Sequence, residues 1–254
     1  MSKLIDILRK LSKAAPASMG FHTSQTIEAA TKILIIGRMA VNNAPAAKGN
    51  TAADAILVFA DAETTAQNIQ KAAKALGDIP WGVYLDENSS NMAALIEAGC
   101  DFVVFSPSSL ITDLPEDEKV GKILQVDSSM DDGLLRAVND LPADALLVTD
   151  TFEDNKTLTM HQLMIYQHLA NFVAKPLIVP VPASITLAEL KALQNTEIDA
   201  VIAEMDGDGL KELRKTINKL PKRATKKPEK GGVILPRMGA GAAKPTEEEE
   251  EEDE

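Results

Sequence analysis

The sequence predicts one closed (βα)8 barrel, preceded by an amphipathic helix and followed by a charged tail. Three observations carry that expectation. Eight short apolar segments alternate with amphipathic helical stretches, the pattern of βα units and a parallel sheet. Every second segment opens on the same motif, a small or apolar residue, then Asp, then an apolar run. With 4% aromatic residues among 45% hydrophobic ones, the core has to be built from Val, Ile, Leu and Ala, the residues that fill buried parallel strands.

The chain opens on a helical stretch, residues 2–14. Leu4, Ile5, Leu8 and Leu11 share one face of it, and Lys3, Arg9, Lys10 and Lys13 make it basic. Such a helix either plugs the N-terminal end of the barrel or lies on a membrane surface. Pro16 ends it, and residues 1–18 are set apart as the N-terminal segment. The barrel is expected over 19–221. Its odd strands read Ile33–Gly37, Gly82–Leu85, Ile123–Val126 and Leu177–Val181. Its even strands follow the repeated Asp in Ala53-Asp54-Ala55, Cys100-Asp101-Phe102, Ala143-Asp144-Ala145 and Ile198-Asp199-Ala200, at spacings of 47, 43 and 55 residues.

Helical patterns fill 64–76, 88–98, 131–139, 157–174, 186–194 and 209–220. Two connections are weaker. Residues 40–54 hold Asn42, Asn43, Pro45 and Gly49, which breaks or shortens the first helix. Residues 107–121 hold Pro107, Pro115 and Glu116-Asp117-Glu118, a loop or distorted helix and a candidate flap. Nothing marks the switch point or Gly-rich turn of an open doubly wound sheet.

The net charge is −12. The terminal run Glu247–Glu254 supplies −8 and residues 222–246 supply +6, which leaves −10 on residues 1–221. A body this acidic argues against nucleic-acid binding, which needs a basic surface. Residues 222–254 form a tail, basic then acidic, that cannot bury a core, interrupted by the apolar island Val233-Ile234-Leu235-Pro236. The one cysteine, Cys100, excludes an internal disulfide framework and reads as a buried filler. No apolar run approaches a membrane span and no signal peptide is visible, so a cytoplasmic protein is expected.

Barrel enzymes place their chemistry at the C-terminal ends of the strands. In order, those ends are Arg38, Asp61, Asp86, Ser106, Asp127, Asp150, Ser184 and Glu204. Residues two apart on a strand share a face. If the deeper partners Ile36, Phe59, Tyr84, Val104, Gln125, Val148 and Ile202 point inward, so do the residues two positions on. Carboxylates converging there must be solvated, paired with Arg38, raised in pKa, or holding a hard cation such as Mg²⁺. Asp86, Asp127, Asp150 and Glu204 are the acid/base candidates, with Asp127 and Glu204 as metal ligands. Against this stands the reading that such Asp residues cap the following helices, with Asp61, Asp127 and Asp208 placed where a cap belongs. No Lys lies at a strand's C-terminal end and no His at the mouth, which disfavours Schiff-base and zinc chemistry.

The last two units, Pro176–Thr186 and Ile198–Gly209, resemble the phosphate-binding half of aldolase-type barrels such as thiamine phosphate synthase and indole-glycerol-phosphate synthase. That resemblance implies a phosphate held by amides of the turn after strand seven and of a Gly-led helix after strand eight. Ser184, Thr186, Gly207 and Gly209 are the matching positions. Pro182-Ala183-Ser184 stands in place of the family's glycines, and proline removes an amide donor. Glu204, Asp206 and Asp208 bring negative charge to the same place.

Two functions are consistent with these residues. The first is a non-catalytic barrel that acts through interactions, favoured by a mouth without His, Lys or a Gly-rich turn. The alternative is a small-molecule lyase or isomerase with a carboxylate-rich, Mg²⁺-dependent mouth. In it Arg38 clamps an anion, and Asp61, Ser106, Ser184, Thr186, Gly207 and Gly209 line the ligand. An interface is expected on the helix 157–173. There Met160 and Met164 fall on the outward face among His161, Gln167, His168 and Asn171, available to a second subunit or to the 233–236 island.

Overall fold

The eight apolar segments are strands of four to seven residues, all parallel: β1 (Leu34–Ala40), β2 (Ala55–Phe59), β3 (Trp81–Tyr84), β4 (Phe102–Phe105), β5 (Gly121–Val126), β6 (Ala145–Val148), β7 (Leu177–Pro180) and β8 (Ala200–Glu204). In the computed structural model they pair in sequence order, and β8 returns to β1 with Leu34 opposite Ala200 and Arg38 opposite Glu204. The sheet is therefore a closed barrel, as the alternation predicts. The structure describes residues 2–12, 33–43, 52–59, 66–85, 92–117, 119–149, 157–205 and 208–221.

Strand alternation divides the apolar residues into two cores. Leu34, Ile36, Leu57, Phe102, Val104 and Ile123 belong to the barrel interior. Ile35, Val58, Val83, Val103, Leu124 and Val201 face the helices. Gly82 stands opposite Phe102, and a Cβ on it would lie 2.4 Å from the Phe102 ring. One large and one absent side chain thus share a single place in the barrel.

The outer helices are α2 (Ala66–Leu76), α3 (Met92–Glu97), α4 (Asp132–Ala137), α5 (Met160–Phe172), α6 (Leu187–Asn195) and α7 (Gly209–Asn218). α4 and α6 begin one residue later than the periodicity suggests, because Asp131 and Thr186, expected to open them, cap them instead; α5, expected from 157, begins at Met160 behind its cap Thr159. Asp131 accepts the amides of Gly133 (2.6 Å) and Leu134 (3.1 Å). Thr159 and Thr186 each form a capping box, with Gln162 and Glu189. The β4–β5 connection carries no α-helix. It makes one 3-10 turn at Ile111–Asp113 and buries Pro115, which agrees with the loop reading of 107–121.

The repeated Asp has a structural meaning that its spacing does not announce. Each of the four donates its amide to the carbonyl of an early residue of the preceding strand: Asp54 to Ile35, Asp101 to Trp81, Asp144 to Lys122 and Asp199 to Leu177. Three of them also turn the carboxylate onto the amide of that same residue, at 2.8 Å for Ile35, 2.9 Å for Lys122 and 3.1 Å for Leu177. The motif is a staple that fixes the register of every second strand against the strand before it. Asp101 departs from the other three because its carboxylate serves another element.

That element is α1 (Lys3–Ser12), which fills the N-terminal end of the barrel. Leu4, Ile5 and Leu8 are 0–1% exposed and join the interior core. The Asp101 carboxylate accepts the Ser2 hydroxyl (2.8 Å) and the amides of Lys3 (2.7 Å) and Leu4 (3.0 Å), a cap supplied from another strand. Arg9 pairs with Asp144 at 2.6 Å. The plug reading holds and the membrane reading does not, since the face that would enter a bilayer is inside the barrel. Among the described residues no helix is long and apolar enough to cross a membrane. Residues 222–254 and the island at 233–236 lie outside the described residues.

Candidate functional site at the barrel mouth

An arc of contacts joins five strands at the C-terminal mouth. Closure of the barrel sets Arg38 of β1 beside Glu204 of β8, with Nε 3.3 Å from Oε1. The guanidinium carbon also lies 3.9 Å above the Phe59 ring on β2. Phe59 meets Tyr84 of β3 at a centroid distance of 6.1 Å. The Tyr84 hydroxyl donates to Gln125 Oε1 of β5 at 2.8 Å. These side chains alternate correctly with the interior core beneath them. Sequence reasoning picked out Arg38 and Glu204 but passed over Phe59, Tyr84 and Gln125, which entered only as the deeper partners of their carboxylates. Two aromatics at strand ends, in a chain with six Phe and two Tyr, were the available signal.

The Arg38 and Glu204 side chains are 45% and 58% exposed, so the pair opens to solvent and is worth little to stability. Its interest is chemical. A cation held over an aromatic face and tethered by one carboxylate is preset in place and reachable by an anion.

Most other candidates on the described part of the mouth are engaged locally. Asp127 accepts both the amide and the hydroxyl of Ser129, closing a turn ahead of the Asp131 cap. The Ser106 hydroxyl bonds that of Ser108 at 2.8 Å in the turn after β4. Thr186 is the N-cap of α6, its amide donating to Glu189 at 2.8 Å, and the Ile185 amide donates to the Pro182 carbonyl. Of the positions that the phosphate resemblance implies, the Thr186 amide is thus engaged within its own capping box. Ser184 is exposed in that turn. Gly209 opens α7, where a Cβ would come 2.8 Å from Ala183 Cβ, so the turns after β7 and β8 meet there. Asp208 does not cap α7 with its side chain, which goes to Lys211 Nζ at 2.8 Å. That ammonium holds the exposed Asp208 carboxyl below its ordinary range.

The parity argument needs one correction. Val148 faces the outer core, whereas Ala145 and Leu147 face the interior. The β6 alternation therefore runs one residue out of step with the assumption. Asp150 itself lies outside the described residues, as do Asp61, Asp86 and Gly207. Among the described residues no group of three or more His, Cys, Asp or Glu side chains is placed to hold a metal ion. Mg²⁺ at Asp127 and Glu204 would need further ligands from outside that set.

A closed eight-stranded parallel barrel plugged at its N-terminal end, with a polar arc at the opposite mouth, belongs to the TIM-barrel class. Solved structures with this fold include tryptophan synthase chains. A mutant tryptophan synthase α-subunit from Pyrococcus furiosus is similar at a TM-score of 0.53 and 12% identity, over 74% of this chain and 98% of that one. Tryptophan synthase from M. tuberculosis, in an aminoacrylate-bound form, is similar at 0.54 and 14% identity, over 83% and 96%. At these identities the likeness is one of fold. It agrees with the eight-stranded parallel barrel and adds nothing specific to thiamine phosphate or indole-glycerol-phosphate synthases. No family model matches the sequence, and no curated protein matches it either.

Proposed function

We propose that this barrel binds a small anionic organic molecule at its C-terminal mouth, with Arg38 as the anchor and Glu204 as the acid/base group beside it. One observation carries the reading: the half-exposed Arg38 guanidinium held between the Phe59 ring and the Glu204 carboxylate. The ligand's acidic group replaces part of the Glu204 contact, and Tyr84 and Gln125 offer a hydroxyl and an amide to its remaining polar atoms. Glu204, released from Arg38, is then a base within reach of the bound molecule, which suits a lyase or isomerase. Asp127 borders the site, and Asp86 and Asp150 are the further carboxylates this reading would recruit. The likeness to tryptophan synthase chains supports a small-molecule enzyme by fold analogy alone.

The test is a calorimetric screen of small carboxylates and phosphate esters against the wild type, Arg38→Met and Glu204→Gln. A ligand is expected whose affinity falls about 10- to 100-fold in Arg38→Met, the effect of losing one charge-assisted pair. Glu204→Gln should retain binding and lose turnover. A ligand that binds Arg38→Met as well as the wild type would overturn the reading. A second reading, a barrel acting through protein interactions, is favoured by Met160 and Met164, exposed one turn apart on α5.

A further inference from the structure

Among the described residues, the β4–β5 connection has one 3-10 turn and no α-helix, the β5–β6 connection has the six-residue α4 and a 3-10 turn at Val138–Asp140, and the β6–β7 connection carries α5. Of eight large hydrophobic side chains exposed among the described residues, six lie here: Leu110, Ile111, Leu134, Leu141, Met160 and Met164. Met160 and Met164 stand one turn apart on α5, 72% and 65% exposed, and Leu134 on α4 is 56% exposed. One turn beyond Met164, His168 Nε2 meets Asp132 of α4 at 3.1 Å, and the Arg136 guanidinium carbon lies 5.1 Å over the Phe172 ring, so α4 turns its Asp132–Arg136 side to α5 and Leu134 to the opposite side. An apolar flank of this kind marks a contact surface. The connections framing it, 107–120 and 127–143, carry eight acidic residues against two basic ones.

The same chain contains a segment of opposite character. Residues 222–238 carry six basic residues against one acidic, and enclose the apolar run Val233-Ile234-Leu235-Pro236. We infer that this segment docks on the α4–α5 face of its own barrel. The apolar run covers Met160 and Met164, and the bases face the acidic connections. Exposed charge pairs are individually weak, so the apolar run supplies the affinity, and the charges supply register and salt dependence. The adaptable methionine side chains suit a short irregular segment.

The reach is adequate. The described chain ends at Pro221, whose carbonyl accepts Gln194 Nε2 of α6 at 3.1 Å, and α6 is the neighbour of α5 around the barrel. The stretch from Pro221 to Val233 spans ~40 Å when extended, against helix spacings of ~10 Å.

A nitroxide on Ala240→Cys in the full-length protein tests this, read through the ¹³C-methyl signals of the methionines. Cys100 stays unlabelled, since burial pushes its thiol up to about 12. The Met160 and Met164 methyls should lose most of their intensity while Met39, on β1, stays sharp. Reduction of the nitroxide should restore them fully, and salt at about 0.5 M, where the screening length falls to a few ångströms, should restore them in part. The loss should be absent when spin-labelled, isotope-unlabelled chains are mixed with isotope-labelled chains that carry no spin label. In Met164→Glu the loss at Met160 should also weaken. Unchanged Met160 and Met164 signals would overturn the proposal. So would broadening that appears in the mixed sample, which would make a second copy the occupant, or broadening of Met160 that Met164→Glu leaves intact.

Discussion

The Asp101 carboxylate accepts the Ser2 hydroxyl at 2.8 Å, a contact between the entrance of β4 and the residue that precedes α1. The same carboxylate takes the amides of Lys3 and Leu4. In the other three copies of the motif that group holds the preceding strand. Here the staple has been turned inward to hold the helix that closes the barrel floor.

Asp101→Ala should therefore release α1 rather than unravel β4. The amide of Asp101 still donates to Trp81 and its carbonyl still accepts from Gly121, so the strand ladder survives the change. The cost is that of a lost cap with donors left unpaired, about 1–3 kcal/mol. Thermal unfolding should shift down by several degrees, and hydrogen exchange should speed up at Lys3, Leu4 and Ile5. Exchange that quickens along β4 while α1 stays protected would contradict this account.

Stability should fall at high pH through Cys100. Burial chiefly raises its thiol, to about 12, against bonds from the backbone that lower it. The folded protein thus keeps a proton that the unfolded chain gives up above about pH 8.5. The stability is fully present below that value and declines toward the folded pKa, by about 2 kcal/mol near pH 10. Cys100→Ala should flatten the alkaline limb in denaturant titrations at stepped pH. Parallel limbs for the two proteins would show that another group carries it.

Acid acts on a different element. Burial raises the Glu189 carboxyl, but bonds from the Thr186 hydroxyl, the Thr186 amide and the Leu158 amide outweigh it, and the net shift is downward. Its contribution is complete above the unfolded value, about 4.3, and is lost as pH falls through the folded one. The difference in melting temperature between the wild type and Glu189→Gln should therefore be constant near neutrality and shrink below about pH 4. A difference that persists undiminished at pH about 3 would exclude this linkage.

Fold and site were not equally readable in the sequence. The strand pattern and the Asp repeat carry the barrel, because alternation and spacing are local properties that closure simply respects. The outward face of α5 was readable for the same reason: Met160 and Met164 follow from helical periodicity alone. The mouth depended on quantities that the sequence does not contain. Val148 faces outward because the β6 alternation is fixed by its register with β5, and no motif announces that register. Arg38 and Glu204 come together because strands one and eight close the barrel, and Phe59 reaches them from the neighbouring strand. The role of Asp101 was hidden in a repeat whose four copies look alike.

Gly121 offers the sharpest test of how α1 is held. A Cβ there would lie 2.5 Å from Ile5 Cγ1 and 2.9 Å from Ser2 Oγ, both on the plug rather than on the barrel wall. Its strand partner is Phe102, whose ring is fully buried, so the wall cannot yield in exchange. Gly121→Ala should cost about 1–3 kcal/mol, the usual penalty for overpacking. Ile5→Ala alone should cost about 2–5 kcal/mol, as a buried large-to-small change does. Because the inserted methyl and the removed one compete for the same space, the double variant should be more stable than the sum of the two costs predicts, by about 0.5–3 kcal/mol. Denaturant midpoints of the four proteins close the cycle. Strict additivity would mean that the strain at Gly121 falls on the barrel backbone, and that α1 is not packed against β5 as the structure has it.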